Sequence, residues 1–179
     1  VKDKLSDLEA RMQKWDKMSP EEKAKERLAL KKEGTELFTI GYEGISLEIY
    51  INRLIKNNIK ILCDVRKNAF SMKRGFSKKE LIIACNEVGI EYRHFPELGI
   101  ESQKRKKLDN QNDYEELFRE YEETVLEDFD NLVDLIYLLR VKKRIALTCF
   151  EAESHMCHRG RIGKNIESYS NGLYSPKHI

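Results

Sequence analysis

Four short apolar runs, separated by stretches of helical periodicity, constrain the fold of this chain more than any other feature. They are Leu37–Gly41, Ile59–Arg66, Ile90–Phe95 and Ile145–Phe150. Runs of this length, bounded by turn residues, read as strands, and the nearly all-apolar ones as strands buried on both faces. After the first run, Ser46 opens a helix with Leu47, Ile51, Leu54 and Ile55 on one face. After the second, the capping box Ser77-Lys-Lys-Glu80 starts a helix through Leu81, Ile82 and Cys85 to Val88, stopped by Gly89. Helical segments fit residues 113–124 and 128–140, and a last helix follows the fourth run, from Met156 to Lys164. Strands alternating with amphipathic helices require crossovers of one hand. The expected fold is therefore three-layer α/β: a mostly parallel sheet of about four to five strands with helices on both faces.

This α/β domain is expected over residues 35–179, behind a helical N-terminal extension over 1–34. The extension reads as two helices. The first has Leu5, Leu8, Met12 and Trp15 at helical spacing, and the second opens at Ser19-Pro20-Glu21-Glu22, with a capping serine and proline at the first helical position. Gly34 ends it. Its charges are interleaved, as on a solvated face, so the expectation is an arm that packs on the domain or joins two copies as a homodimer.

The 33 basic and 31 acidic side chains nearly cancel, which excludes a polycation that coats nucleic acid by bulk charge. No apolar run approaches the roughly 18 residues of a membrane span. The N-terminus, charged from Lys2 onward, lacks the core of a secretory signal. The four cysteines, Cys63, Cys85, Cys149 and Cys157, form no close-spaced framework. A cytoplasmic protein with reduced thiols and no membrane partner is expected.

Function is sought where parallel strands end, because ligands bind in the crevice at that edge. The first strand leads into Gly41-Tyr42-Glu43-Gly44, and the second into Asp64-Val65-Arg66 with Ser71 beyond. The third is followed by His94 and Glu97-Leu98-Gly99, and the fourth by Cys149, Glu151, His155, Cys157, His158 and Arg159. All four loops thus carry chemically capable or backbone-permissive residues, as a shared pocket requires. Arg66, Lys67, Lys73, Arg74, Arg93, Arg159 and Arg161 fall on or near the same edge, which with a helix N-terminus suits an anion such as a phosphate.

Taken as a set and in this order, Gly41-Tyr42-Glu43-Gly44, Asp64-Val65-Arg66 with Ser71, Leu98-Gly99, Cys149-Phe150-Glu151 and Cys157-His158-Arg159 resemble the domain-of-unknown-function family numbered 488. The resemblance spans about Leu37 to Ile166 and leaves residues 1–33 outside. Ala69 stands where the family commonly has a proline, and Ile100 where it has a second glycine after Leu-Gly. The resemblance implies an α/β fold and a site, without a reaction.

Within that site, Cys157 is expected at the first turn of a helix beside His158 and Arg159, a setting that favours a thiolate. Glu151 suits a general acid or base, and Asp64 suits orienting Arg66 or a ligand hydroxyl. The expected ligand contacts are Gly41, Tyr42, Gly44, Arg66, Ser71, Glu97, Gly99 and Cys149, with Tyr42 able to stack on a base. The plainer reading is that Cys157 packs beneath the helix while Glu151 and Arg159 form a salt bridge. A phosphatase-type thiol loop is excluded, because the position six residues after each cysteine is His155 or Gly163 instead of arginine. Gly160 to Lys164 is too short for a phosphate-binding P-loop.

The function expected is an enzyme acting on a phosphate-bearing substrate, a nucleotide or one linked to nucleic acid. The alternatives are a non-catalytic nucleotide- or nucleic-acid-binding module, and a zinc site built from Cys149, His155, Cys157 and His158. Against zinc, the spacing matches no common pattern, and the neighbours Cys157 and His158 need an unusual turn to share an ion. The sequence names no cofactor. His94 and His178 are expected to be bystanders.

Overall fold

The computed structural model describes residues 17–105, 108, 111–128 and 130–179, together with residues 6, 10, 13 and 14. The first N-terminal helix expected, carried by Leu5, Leu8, Met12 and Trp15, lies outside the described residues. The second is present as α1 (Pro20–Lys32). Its entry is a reciprocal box: Ser19 N–H donates to Glu22 Oε2 at 2.7 Å and Glu22 N–H to Ser19 Oγ at 3.2 Å.

Beyond Gly34 the chain runs β1 (Glu36–Gly41), α2 (Leu47–Lys56), β2 (Ile61–Asp64), α3 (Lys78–Glu87), β3 (Glu91–His94), α4 (Gln111–Tyr121), α5 (Asp130–Lys142), β4 (Arg144–Cys149), α6 (His158–Tyr169) and β5 (Pro176–His178). The strands form one parallel sheet in the order β3-β2-β4-β1-β5. From β1 to β2 to β3 the chain moves one way across the sheet, and from β3 to β4 to β5 it moves back. With crossovers of a single hand, reversing direction swaps the face on which the connecting helices lie. The cores show that swap. Tyr50 and Leu54 of α2 and Leu81 and Cys85 of α3 pack with Phe38, Ile40, Leu62 and Ala146. Phe118 of α4, Leu135 of α5 and Ile162 of α6 pack with Leu37, Ile61, Cys63, Ile145 and Leu147 on the other face.

Both neighbours of β4, namely β2 and β1, therefore send their connections to the face opposite its own. The crevice at a point of reversal is where open α/β sheets bind ligands, and here it opens over the C-terminal end of β4.

Four local features depart from expectation. On α2 the buried positions are Tyr50 and Leu54, whereas Ile55 is 48% exposed. Tyr50 takes the inward place because its hydroxyl reaches Thr148 Oγ1 at 2.7 Å, both groups being fully buried. After α4 the helix widens through Glu122–Leu126, with Glu127 N–H donating to Glu122 O. Tyr121 and Leu126, five residues apart, are both buried, a spacing that a 3.6-residue period does not provide. The last helix begins at His158, after a separate 3-10 turn over Ser154–Met156. The short strand β5, to which no apolar run points, pairs with β1. The capping box at Ser77 forms as expected.

Candidate functional site

The four loops do meet at the C-terminal edge of the sheet, but the pleat divides their side chains between its two faces. Asp64 is the register partner of Thr148, and Gly41 that of Cys149. Successive side chains on a strand alternate faces. Asp64 and Thr148 point to the α2/α3 side with Leu62 and Ala146, while Cys149 points to the α4/α5/α6 side with Ile145 and Leu147. The expected single constellation is thus two, back to back.

The first is an internal network. The Asp64 carboxylate is fully buried and accepts from Arg66 Nε at 2.8 Å, Arg66 Nη2 at 2.5 Å, the Arg66 backbone N–H at 3.1 Å and the Tyr92 hydroxyl at 2.6 Å. Arg66 Nη1 donates to the Tyr42 hydroxyl at 2.7 Å and to Phe76 O at 2.9 Å. Asp64 and Arg66 thus spend most of their hydrogen-bonding capacity on one another and on Tyr92, Tyr42 and Phe76. The Tyr42 ring is also buried: it is 2% exposed, stacked on Phe76 at 4.4 Å with Phe150 set edge-on. Ser71 closes its own loop, accepting from Lys73 N–H through Oγ and from Ser77 Oγ through its carbonyl. His94 Nε2 lies 2.8 Å from Arg66 O and His178 Nδ1 2.6 Å from Thr39 Oγ1.

The glycine motifs prove to be spacers. A Cβ on Gly41 would run into the Glu151 carbonyl, and one on Gly99 into the Lys67 backbone nitrogen. Past Gly41, the N–H groups of Tyr42 and Glu43 both donate to Phe150 O, and Glu43 Oε2 accepts from Ala152 N–H at 2.9 Å. Gly44 lets this turn close with φ of +74°. The first motif therefore fastens the loop that follows β4. Arg159 fastens it from the other side. The residue is 1% exposed, and its guanidinium donates to Glu151 O at 2.5 Å and Ala152 O at 2.8 Å, not to the Glu151 carboxylate.

The second constellation lies on the α4/α5/α6 side. Cys149 ends β4, Cys157 is the residue before α6, and His158 is the first residue within it. Cys157 is extended (φ −138°, ψ 141°) immediately before the helical His158, and that change of conformation turns the two neighbouring side chains toward one point. His158 Nδ1 lies 3.7 Å from Cys149 Sγ and 3.8 Å from Cys157 Sγ. Its Nε2 donates to Val65 O at 2.8 Å, so the second loop reaches this group through its backbone. His155 does not join: its side chain is 69% exposed and faces Glu153 at 3.8 Å. The four-ligand set expected for zinc is thus not assembled, although three of its members are.

Arg105, which lies in the basic run Lys104–Lys107 and was not among the expected site residues, completes the cluster. It donates to His158 Nδ1 at 2.8 Å through Nη2 and to Glu151 Oε1 at 2.7 Å through Nη1. The second carboxylate oxygen of Glu151 is buried without a partner. Burial alone would raise the Cys149 thiol. The Cys157 thiol, His158 and the Arg105 guanidinium overcome that and hold it well below the ordinary thiol range. Cys157 is pushed up by burial and by the neighbouring Cys149 sulfur, and Glu151 is raised by burial and then by the charge on Cys149. Of the two adjacent sulfurs, the thiolate is thus favoured at Cys149 and disfavoured at Cys157, where the sequence points.

Glu151, Cys157, His158 and Arg105 line a cavity of about 280 Å³ whose far wall is Tyr114, Leu117 and Phe118 of α4. Glu43 and Glu153 stand at its polar side. Glu97 and Gly99 line a different, smaller cavity of about 130 Å³ with Lys67 and Tyr121. The basic edge is also largely engaged within the protein. Lys67 pairs with Glu101, Arg93 with Glu91 and Arg161 with Glu122, while Lys73 donates to Tyr42 O. Among the described residues no helix is long and apolar enough to cross a membrane.

No curated protein and no solved structure matches the chain. The model of one family, described as domain of unknown function DUF488, matches residues 46–166, which takes in Asp64-Val65-Arg66, Leu98-Gly99, Cys149-Phe150-Glu151 and Cys157-His158-Arg159 and starts just after the Gly41–Gly44 turn. With that much of its length matched, and with those motifs building one edge of a parallel sheet, the chain belongs to the DUF488 family.

Proposed function

We propose that this protein is an enzyme whose reaction takes place in the cavity over the end of β4, with Glu151 as the proton-transferring group and Cys149, Cys157 and His158 as the reacting centre. One observation carries the reading: a carboxylate with an unpartnered oxygen, a thiol and an imidazole from a single strand-to-helix junction face a cavity walled by α4. Burying such groups costs several kcal/mol unless each is compensated, which is hard to reconcile with a purely structural junction.

The substrate class we favour is a nucleotide or a nucleoside-like fragment. The Tyr114–Leu117–Phe118 wall offers an apolar face to a flat ring, and Arg105 is the cation nearest the reacting groups. Arg66 and Arg159, being engaged internally, position loops instead of binding phosphate. The test is turnover and binding across a nucleoside and nucleotide panel for the wild type, Glu151→Gln and Cys157→Ser. Binding retained with turnover lost in the variants supports an enzyme. Binding by the wild type with no turnover of any member makes the protein a recognition module instead.

A further inference from the structure

The geometry points to a thiophilic divalent cation, of the zinc class, held by Cys149 Sγ, Cys157 Sγ and His158 Nδ1. The three donor atoms all lie within 4.8 Å of one another, and all three residues are buried. With metal–sulfur and metal–nitrogen bonds of about 2.3 and 2.05 Å at the tetrahedral angle, N and S ligands stand about 3.6 Å apart. The observed separations from His158 Nδ1 are 3.7 and 3.8 Å.

The imidazole is already oriented as a ligand. Its Nε2–H is committed to Val65 O at 2.8 Å, which leaves the Nδ1 lone pair directed at the two sulfurs. Arg105 supports the same assignment, because its N–H can donate to Nδ1 only if Nδ1 carries a lone pair. Two thiolates and an imidazole favour zinc over magnesium or calcium. Three protein ligands with a fourth direction left toward a cavity match catalytic zinc sites better than structural ones. Glu151, whose second oxygen has no partner, lines the same cavity as Cys157 and His158.

Arg105 now supplies positive charge where the ion would sit, bridging His158 and Glu151. It comes from a short 3-10 turn, Ser102–Arg105, and its side chain is 30% exposed. On binding, the ion takes the lone pair that Arg105 now contacts, and the guanidinium swings outward with Glu151 or alone. Arginine and metal are therefore competitors for one place.

This proposal rests on reading the cavity as the reacting centre, but its test reads metal and not turnover, so the two fail separately. The full chain, reduced and with its free thiols counted, is titrated with Co(II), and the sulfur-to-Co(II) charge-transfer absorption is followed. The expected result is one Co(II) per chain, displaced by Zn(II), with a band of two-thiolate intensity. Cys149→Ser and Cys157→Ser should each halve the band, His158→Ala should weaken binding, and His155→Ala should change nothing. Because a ligand variant can fail to fold, Arg105→Met gives a second arm that keeps every donor: it should bind Co(II) more tightly than the wild type. No charge-transfer band in the reduced wild type, a band that survives the double serine variant, or equal or weaker binding by Arg105→Met would overturn the site. Absence of metal together with turnover that depends on Glu151 would leave the enzyme reading standing.

Discussion

Replacing Asp64 by alanine tests whether the Asp64-Val65-Arg66 motif is architecture or chemistry. The carboxylate is fully buried and accepts four hydrogen bonds, three of them from Arg66, whose own side chain is 6% exposed. Removing one partner of a buried ion pair leaves the other charge uncompensated, which costs about 3–5 kcal/mol. Arg66→Met should cost a similar amount, since it strands the carboxylate and also leaves the Tyr42 hydroxyl and Phe76 carbonyl without their donor. The double variant no longer buries a lone charge, so its cost should stay close to that of either single change. A coupling energy of about 3 kcal/mol between the two sites follows. Urea unfolding of the four proteins measures it, and the single variants should also melt about 6–20 °C lower. Singles within about 1 kcal/mol of the wild type, or a double variant that simply adds, would refute the reasoning and return Asp64 to the list of ligand-facing groups.

Gly41→Ala and Gly99→Ala each drive a methyl group into backbone of a neighbouring loop, so both should destabilise by at least 1–3 kcal/mol, the usual range for overpacking, in the same urea assay. Gly44→Ala, where the added carbon meets nothing, should cost only about 1 kcal/mol from its positive φ. Tyr50→Phe strips the donor from the buried Thr148 hydroxyl and should cost about 1–2 kcal/mol. Adding Thr148→Val should bring much of that back, because both ends of the bond are then apolar. Native protein treated with an aromatic disulfide should keep Cys63 and Cys85 unmodified: burial raises both thiols, Cys85 to about 12, and neither lines the cavity. Peptide mapping that finds either one labelled before Cys157 would contradict the burial pattern.

The architecture was legible because it follows from local rules. The apolar runs at Leu37, Ile61 and Ile145 need two buried faces, and the capping serines at Ser19, Ser46 and Ser77 mark helix starts whatever the tertiary context. The widened turn after α4 was not legible, since it exists only to bring both Tyr121 and Leu126 inward. Neither was β5, whose Pro176-Lys177-His178 carries no apolar pattern and pairs only because β1 offers an edge.

For the site, the edge of the sheet could be read but its division could not. Whether Asp64 and Cys149 share a face depends on register, Asp64 beside Thr148 and not beside Cys149, and register is a property of pairing that neither strand states alone. Arg105 was hidden for a different reason. It sits more than forty residues from Glu151 in sequence, within a basic run that reads as solvated surface, and only the fold brings it to His158.

Crystals grown from the full chain with a mixture of nucleosides and nucleotides test the central claim most directly, namely that the chemistry belongs to the β4–α6 side of the sheet. The account predicts bound density between Tyr114 and Phe118 with its polar end toward Glu151, Cys157 and His158, and the Asp64–Arg66–Tyr42 network unchanged behind it. Density seated instead against Arg66 and the Ser71 loop, with the α4 wall empty, would contradict it.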